Sequence, residues 1–269
     1  MPTVTANGIE LYYERRGSGP RLLFLNGSGT TLATTGPVIW TFADCCDVVA
    51  HDQRGLGRTA IPAGPYSMAD YAADAAALLD HLGWQTCRVI GVSFGGMVAQ
   101  ELAVTWPERV ERLALVCTSP GGAGGASYPL DELAHLPAAE RTATWLRILD
   151  TRFTPEWLAE HPDERAFGEL IAAHGDTPRS AEQRRGEVEQ LAARRHHDVS
   201  GRLSAVRCPT LVACGRHDGI APPSNSEWIA AHIAGAELRM YEGGHVFFIQ
   251  NPRVLPDLRA FLAAKARPE

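Results

Sequence analysis

Three side chains could together turn a hydrogen-bonding pattern into bond-breaking chemistry: Ser93, Asp218 and His245. Ser93 lies in RVIGVSFGGMVAQ, where an apolar run gives way to a helical pattern among Gly91, Gly95 and Gly96. Glycines at those places remove the side chains that would clash in a sharp strand-to-helix turn. Such a turn holds its serine in a strained conformation, at a cost of about 1–3 kcal/mol, with the hydroxyl above the sheet. The helix that follows, ending at Trp106 before Pro107, points its amide-rich N-terminus at the hydroxyl and favours developing negative charge there. Serine is also a favoured N-cap residue. In a chain with 26 glycines, the GxSxG pattern alone does not separate a nucleophile from a cap.

A serine hydroxyl becomes a useful nucleophile only when a base takes its proton, so the catalytic reading demands a histidine and an acid. The run PTLVACGRHD reads as a strand leading to Asp218, and ELRMYEGG reads as a strand followed at once by His245. The chain order Ser, Asp, His is the one an α/β-hydrolase requires. Read one at a time, Asp218 before Gly219 is an ordinary turn residue, and His245 is one of ten histidines. A rival position for the acid follows LALVC, but no carboxylate occurs between Cys117 and Asp131, which favours Asp218.

These residues need a scaffold, and its elements are legible. Asn7-Gly8 between two alternating segments predicts an opening β-hairpin. Apolar runs recur at residues 21–25, 47–50, 88–92, 113–117, 210–214 and 238–241 and suit strands covered on both faces. Helical segments separate most of them: Ser67 and Asp70 form a capping-box pattern for a helix stopping at Gly83, and Asn251-Pro252 is expected to cap and start the last helix. The fold class is α/β, a mostly parallel central sheet flanked by helices. Residues 128–203 contain no convincing strand, with helices expected to start at Thr154-Pro155 and at Ser180 with Gln183. The expected organisation is core at 1–127, a helical lid at 128–203 and core again at 204–269. The glycine-rich SPGGAGGASYP leading into the lid is expected to be flexible. Among the apolar lid residues Trp145, Leu146, Ile148, Leu149, Phe153 and Trp157, most are expected to pack the lid onto the core, leaving some to shape a pocket.

The bulk numbers exclude several classes of function. A chain of 269 residues with 45% hydrophobic and 21% charged residues buries a sizeable core as an ordinary globular protein. A net charge of −6 offers no basic field for nucleic acid or anionic lipid. No run is long and apolar enough to span a bilayer and no leader pattern opens the chain, so the expected location is cytoplasmic. The six cysteines include an adjacent pair, Cys45 and Cys46, and no CxxC spacing, so they read as reduced core residues and neither disulfides nor structural zinc is expected. A metal site at His196-His197-Asp198 is disfavoured, because neighbouring helical residues diverge; a solvated helix end is the expectation. Dinucleotide binding is disfavoured because Ser93 occupies a position where pyrophosphate needs glycine.

The motifs LFLNGSG, HDQRGLGRT, GVSFGG, PTLVACGRHD and GGHVFFIQNP resemble the α/β-hydrolase superfamily over nearly the whole chain, most closely its enol-lactonase, esterase and carbon–carbon hydrolase branch. The resemblance implies Ser93 as nucleophile, His245 as general base and then acid, and Asp218 as the group orienting the imidazole. It implies an oxyanion hole from the Phe94 and Ser28 amides, with Gly27 in the same loop; Asn26 stands where the family usually has histidine. Asp52, Arg54, Gly55 and Gly57 match its DxRGxG turn and are expected to be architectural. The expected function is hydrolysis of small carboxylic esters or lactones through an acyl-enzyme on Ser93, with no metal and no cofactor. The same triad also serves carbon–carbon hydrolases and cofactor-free perhydrolases, and a non-catalytic small-molecule receptor could keep this fold. The expected partner is a small-molecule substrate, with neither nucleic acid nor membrane, and a homo-oligomer is left open.

Overall fold

The structure, a computed structural model, describes residues 2–173 and 179–264. Asn7 and Gly8 take φ values of 49° and 78°, the left-handed pair that a two-residue hairpin turn needs. β1 (Thr3–Ala6) and β2 (Ile9–Gly17) therefore pair antiparallel, with Ala6 opposite Ile9. The remaining strands are β3 (Arg21–Leu25), β4 (Asp47–His51), β5 (Cys87–Val92), β6 (Val110–Val116), β7 (Thr210–Gly215) and β8 (Glu237–Tyr241). They form one eight-stranded sheet in the order β1-β2-β4-β3-β5-β6-β7-β8, parallel from β4 onward.

The helices in chain order are α1 (Leu32–Ile39), α2 (Met68–His81), α3 (Phe94–Thr105), α4 (Ala138–Leu149), α5 (Pro155–Glu160), α6 (Pro162–Ala173), α7 (Ala181–Arg195), α8 (Pro223–His232), α9 (Phe247–Gln250) and α10 (Val254–Ala263). Alternating strand residues divide the core in two. Leu23, Leu25, Val49, Val89, Leu113 and Val212 pack under α2, α3 and α8. Leu22, Phe24, Val48, Ile90, Ala114 and Leu211 pack under α1 and α10. With both faces covered, the central strands read as continuous apolar runs. This is the α/β-hydrolase fold.

The helix starts follow their caps. Ser67 N donates to Asp70 Oδ2 at 2.8 Å while Asp70 N donates back to Ser67 Oγ at 3.2 Å, and Ser180 and Gln183 do the same for α7. Thr154 Oγ1 accepts from Trp157 N at 3.2 Å, opening α5. The last helix differs from expectation: it begins at Val254 rather than Pro252, because the Asn251 side chain accepts from Arg253 N at 3.1 Å and closes a local turn first. The glycine-rich stretch also differs. Gly121 takes φ of 72°, and a Cβ there would lie 1.8 Å from the His197 carbonyl oxygen, so this backbone serves close approach rather than freedom. All six cysteines are free thiols, five of them buried. Among the described residues, no helix is long and apolar enough to cross a membrane.

Candidate active site

The β5–α3 junction forces Ser93 to φ 54° and ψ −115°, a region that L-residues rarely occupy. The conformation is held from both sides: Ser93 N donates to Val116 O at 2.8 Å, and Thr118 Oγ1 donates to Ser93 O at 2.8 Å. A Cβ on Gly95 would fall 2.0 Å from the Leu25 carbonyl oxygen, and one on Gly96 would fall 2.5 Å from Thr118 Cβ. These two glycines thus let α3 start in contact with the ends of both β3 and β6, while Gly91 makes room for Gly95 beneath the turn. Ser93 occupies the N-cap position of α3, yet its hydroxyl makes no capping bond. It lies instead 3.0 Å from His245 Nε2.

The other ring nitrogen of His245, Nδ1, lies 2.8 Å from Asp218 Oδ2. Asp218 is fully buried at its side chain, and its second oxygen accepts from Ile220 N and Ala221 N, each at 2.8 Å. A buried carboxylate with both oxygens engaged accepts the Nδ1 proton, which leaves Nε2 with its lone pair toward Ser93. The structure therefore brings Ser93, Asp218 and His245, spread over more than half the chain, into one line of hydrogen bonds.

The loops bearing the acid and the base are tied together by the end of α4. His245 N donates to Leu149 O at 2.6 Å, Gly219 N to Ile148 O at 3.0 Å, and Thr151 N to His217 O at 2.8 Å. The loop after β3 is held in a similar way. Gln53 Nε2 donates to Asn26 O at 2.6 Å, Thr35 Oγ1 donates to Asn26 Oδ1 at 2.9 Å, and Gly29 N donates to Gln190 Oε1 at 2.8 Å. Gln190 belongs to α7 and is only 1% exposed. Gly27 sits against Ser93, its ideal Cβ 3.7 Å from that of the serine. Among the described residues, the amides of Phe94 and Ser28 have no protein acceptor. None of the stitching by Ile148–Thr151, Gln53, Thr35 or Gln190 is legible in sequence, because partners such as Gly29 and Gln190 are 161 positions apart.

The DxRGxG turn is structural in its contacts. Asp52 accepts from Leu32 N at 2.7 Å and Arg58 N at 2.9 Å. Arg54 grips Asp74 with two bonds of 2.7 Å. Gly57 lies against Asp52, whereas Gly55 meets Gly186 of α7, where a Cβ would come within 3.1 Å.

Ser93 and His245 open into a cavity of about 600 Å³ lined by Asn26–Thr31, by Phe24, Val38, Leu56 and Ile220, and by Trp145, Leu149 and Ile171 from α4 and α6. Of the apolar residues expected to shape it, Trp145 and Leu149 do so. Leu146, Phe153 and Trp157 pack into a separate cluster with Leu149 and Leu158, and Ile148 packs with Leu133 and Ile220. The polar side of the cavity comes from Gln183, Glu187 and Arg179, with Arg179 Nε 2.5 Å from Glu187 Oε1. Burial raises the Glu187 carboxyl above its ordinary range, partly opposed by Arg179. The expectation for His196-His197-Asp198 needs correction: His196 and Asp198 are exposed, but His197 is buried beneath the glycine-rich stretch rather than solvated. Among the described residues, no group of three or more His, Cys, Asp or Glu could hold a metal ion.

A sharp turn presenting a serine, with an acid and a histidine at the ends of later parallel strands, defines a class of protein, and the family model described as "Alpha/beta hydrolase family" matches residues 22–257. The chain belongs to that family and is a hydrolase. It is 30% identical over 261 residues to 3-oxoadipate enol-lactonase 2 of Acinetobacter baylyi, spanning 93% of this chain and 92% of that one. It is 31% identical to the poly(3-hydroxyalkanoate) depolymerase of Ectopseudomonas oleovorans, spanning 90% of this chain and 83% of that one. The crystal structure of an enol-lactonase from Burkholderia xenovorans superposes with a TM-score of 0.79 at 23% identity, covering 98% of this chain and 100% of that one, a likeness of fold.

Proposed function

We propose that the protein hydrolyses small carboxylic esters or lactones through an acyl-enzyme on Ser93. The observation that carries this reading is the continuous relay from Ser93 Oγ through His245 to Asp218. His245 Nε2 takes the hydroxyl proton as Ser93 Oγ adds to the substrate carbonyl carbon. The carbonyl oxygen becomes an oxyanion between the amides of Phe94 and Ser28, at the N-terminus of α3. Collapse breaks the carbon–oxygen bond, and the imidazolium returns its proton to the leaving alkoxide. Water then gives a proton to Nε2 and attacks the acyl carbon, releasing the carboxylic acid and restoring Ser93. Asp218 holds the imidazole in the required tautomer and stabilises its charged form. No step needs a metal or an organic cofactor.

Residues 128–203 act in this reading as a lid, supplying one wall of the cavity. Its apolar floor, with Phe24, Val38, Leu149 and Ile220, suits an uncharged acyl group. The enol-lactonase and depolymerase relatives, named for a lactone and a polyester, support the substrate class. Replacing Ser93 with Ala should leave the far-UV spectrum and melting temperature intact. The same change should lower turnover of lactones and aryl esters by on the order of 10⁶ and abolish labelling by a serine-directed phosphonate. Retained turnover in Ser93→Ala would remove Ser93 as nucleophile, and turnover confined to dienoic diketones would replace the ester assignment.

A further inference from the structure

His245 sits in the turn between β8 and α9, and two consecutive amides fasten that turn. His245 N donates to Leu149 O at 2.6 Å, and the amide before it, Gly244 N, donates to Gln250 Oε1 at 2.9 Å. The two glycines let the turn lie close against these partners. Gly243 takes φ of 128°, and a Cβ there would fall 2.8 Å from the same Oε1. A Cβ on Gly244 would fall 2.7 Å from both Cα and Cβ of Asp150. The backbone leading into His245 is therefore packed against both the Gln250 side chain and Asp150.

A glutamine amide has nearly the same shape either way round, so its neighbours must fix which end meets the Gly244 N–H. Asp150 does this. Its side chain is wholly buried, and its Oδ2 lies 3.5 Å from Gln250 Nε2, a long contact that attracts the amide NH2 and repels the amide oxygen. The carboxylate is itself held in place: Arg152 Nε and Nη2 reach its two oxygens at 2.9 and 2.6 Å, and Arg152 N donates to Oδ1 at 3.0 Å. The bond to Asp150 raises the Arg152 pKa above its ordinary value, as an ion pair requires. Gln250 lies outside the lining of the cavity above Ser93, although Phe248 and Ile249 before it are part of that lining. Any influence of Gln250 on the site must therefore pass through Gly244.

On the reading of Ser93 as nucleophile and His245 as base, on which this role rests, we infer that Gln250 is a positioning residue for His245, oriented by Asp150 and acting through the Gly244 amide. The imidazole meets Ser93 Oγ at 3.0 Å and Asp218 Oδ2 at 2.8 Å through opposite nitrogens, so a pivot of the turn about the remaining His245 N bond spoils both contacts together. A misplacement of about 1 Å can cost on the order of 10² in rate. Steady-state kinetics on a chromogenic ester, with a melting curve for each variant, tests this. Gln250→Met, which keeps the length and loses the acceptor, should lower kcat about tenfold or more while KM moves by less than about twofold. The rate at which a serine-directed phosphonate labels Ser93 should fall by the same factor, a readout that needs no turnover. Gln250→Glu sets a second carboxylate against Asp150 and should be at least as slow as Gln250→Met at neutral pH. Adding Asp150→Asn to Gln250→Glu again pairs one amide with one carboxylate, the ends exchanged, and should recover most of the lost kcat; a purely structural glutamine leaves the double variant no faster than the single ones. Gln250→Asn, which draws the amide back by one methylene, should behave like Gln250→Met and carries the test where a carboxylate variant fails to fold. Wild-type kcat and labelling in folded Gln250→Met or Gln250→Asn overturns this role, as does a folded double variant with no recovery. Slow labelling in Gln250→Met alongside retained turnover in Ser93→Ala would fault the nucleophile assignment, whereas lost turnover in Ser93→Ala with Gln250→Met unchanged would fault Gln250 alone.

Discussion

Ser93 shows how a residue's type and its surroundings share the work. Its role was open to two readings in sequence, nucleophile or helix cap, and the hydroxyl makes no capping bond, which supports the proposed nucleophile. At φ 54° the hydroxyl is turned away from the first amides of α3 and meets His245 Nε2 at 3.0 Å. In the proposed reaction Asp218 acts through position as much as charge, since its contact with Nδ1 at 2.8 Å would fix which ring nitrogen carries the proton. Asp218→Asn preserves shape but places a donor or a weaker acceptor against Nδ1, and kcat for ester hydrolysis should fall by roughly 10⁴ with little change in KM. Steady-state kinetics on a chromogenic ester measures this. His197 was misjudged from sequence because its neighbours His196 and Asp198 are solvated; what buries it is the close approach of Gly121, 76 positions earlier in the chain.

At the scale of elements, the parts legible in sequence were those written in local patterns. The hairpin turn at Asn7-Gly8, the boxes at Ser67 and Ser180, and the apolar runs of β3 to β8 all depend on neighbours within a few residues, and each formed as expected. Contacts between distant elements were invisible, and they are the ones that hold the loop after β3, the proposed oxyanion loop. Gln190 of α7 accepts the Gly29 amide in a buried setting, so the loop's shape depends on a helix far along the chain. Gln190→Met, which keeps the length but loses the acceptor, should lower kcat for esters by about tenfold, short of the 10²–10³ expected for losing a whole oxyanion donor. Gln190→Glu, which keeps an acceptor oxygen, should recover most of that loss. A melting curve for each variant separates this effect from simple unfolding, and equal kcat in the Met and Glu variants would refute it.

For the whole molecule, two buried histidines set an acid limit on stability. Burial lowers His51 and His197 from an ordinary value of 6.5 to about 4 in the folded state. Between those values the unfolded chain binds protons that the folded chain refuses, so stability is complete above about pH 6.5 and is lost as pH falls toward 4. The urea midpoint should therefore drop steadily from pH 7 to pH 4.5, and His51→Gln with His197→Gln should flatten that slope. The stitching around the candidate triad has a further consequence for modular change. The helical segment between β6 and β7 resembles an appendage in sequence, but the end of α4 carries the loops of Asp218 and His245, while α7 carries that of Gly29. Grafting a relative's segment at residues 128 and 203 would remove three supports of the site along with the wall of the cavity. A transplant that respects the molecule would keep Ile148–Thr151 and α7 native and exchange only what lies between them.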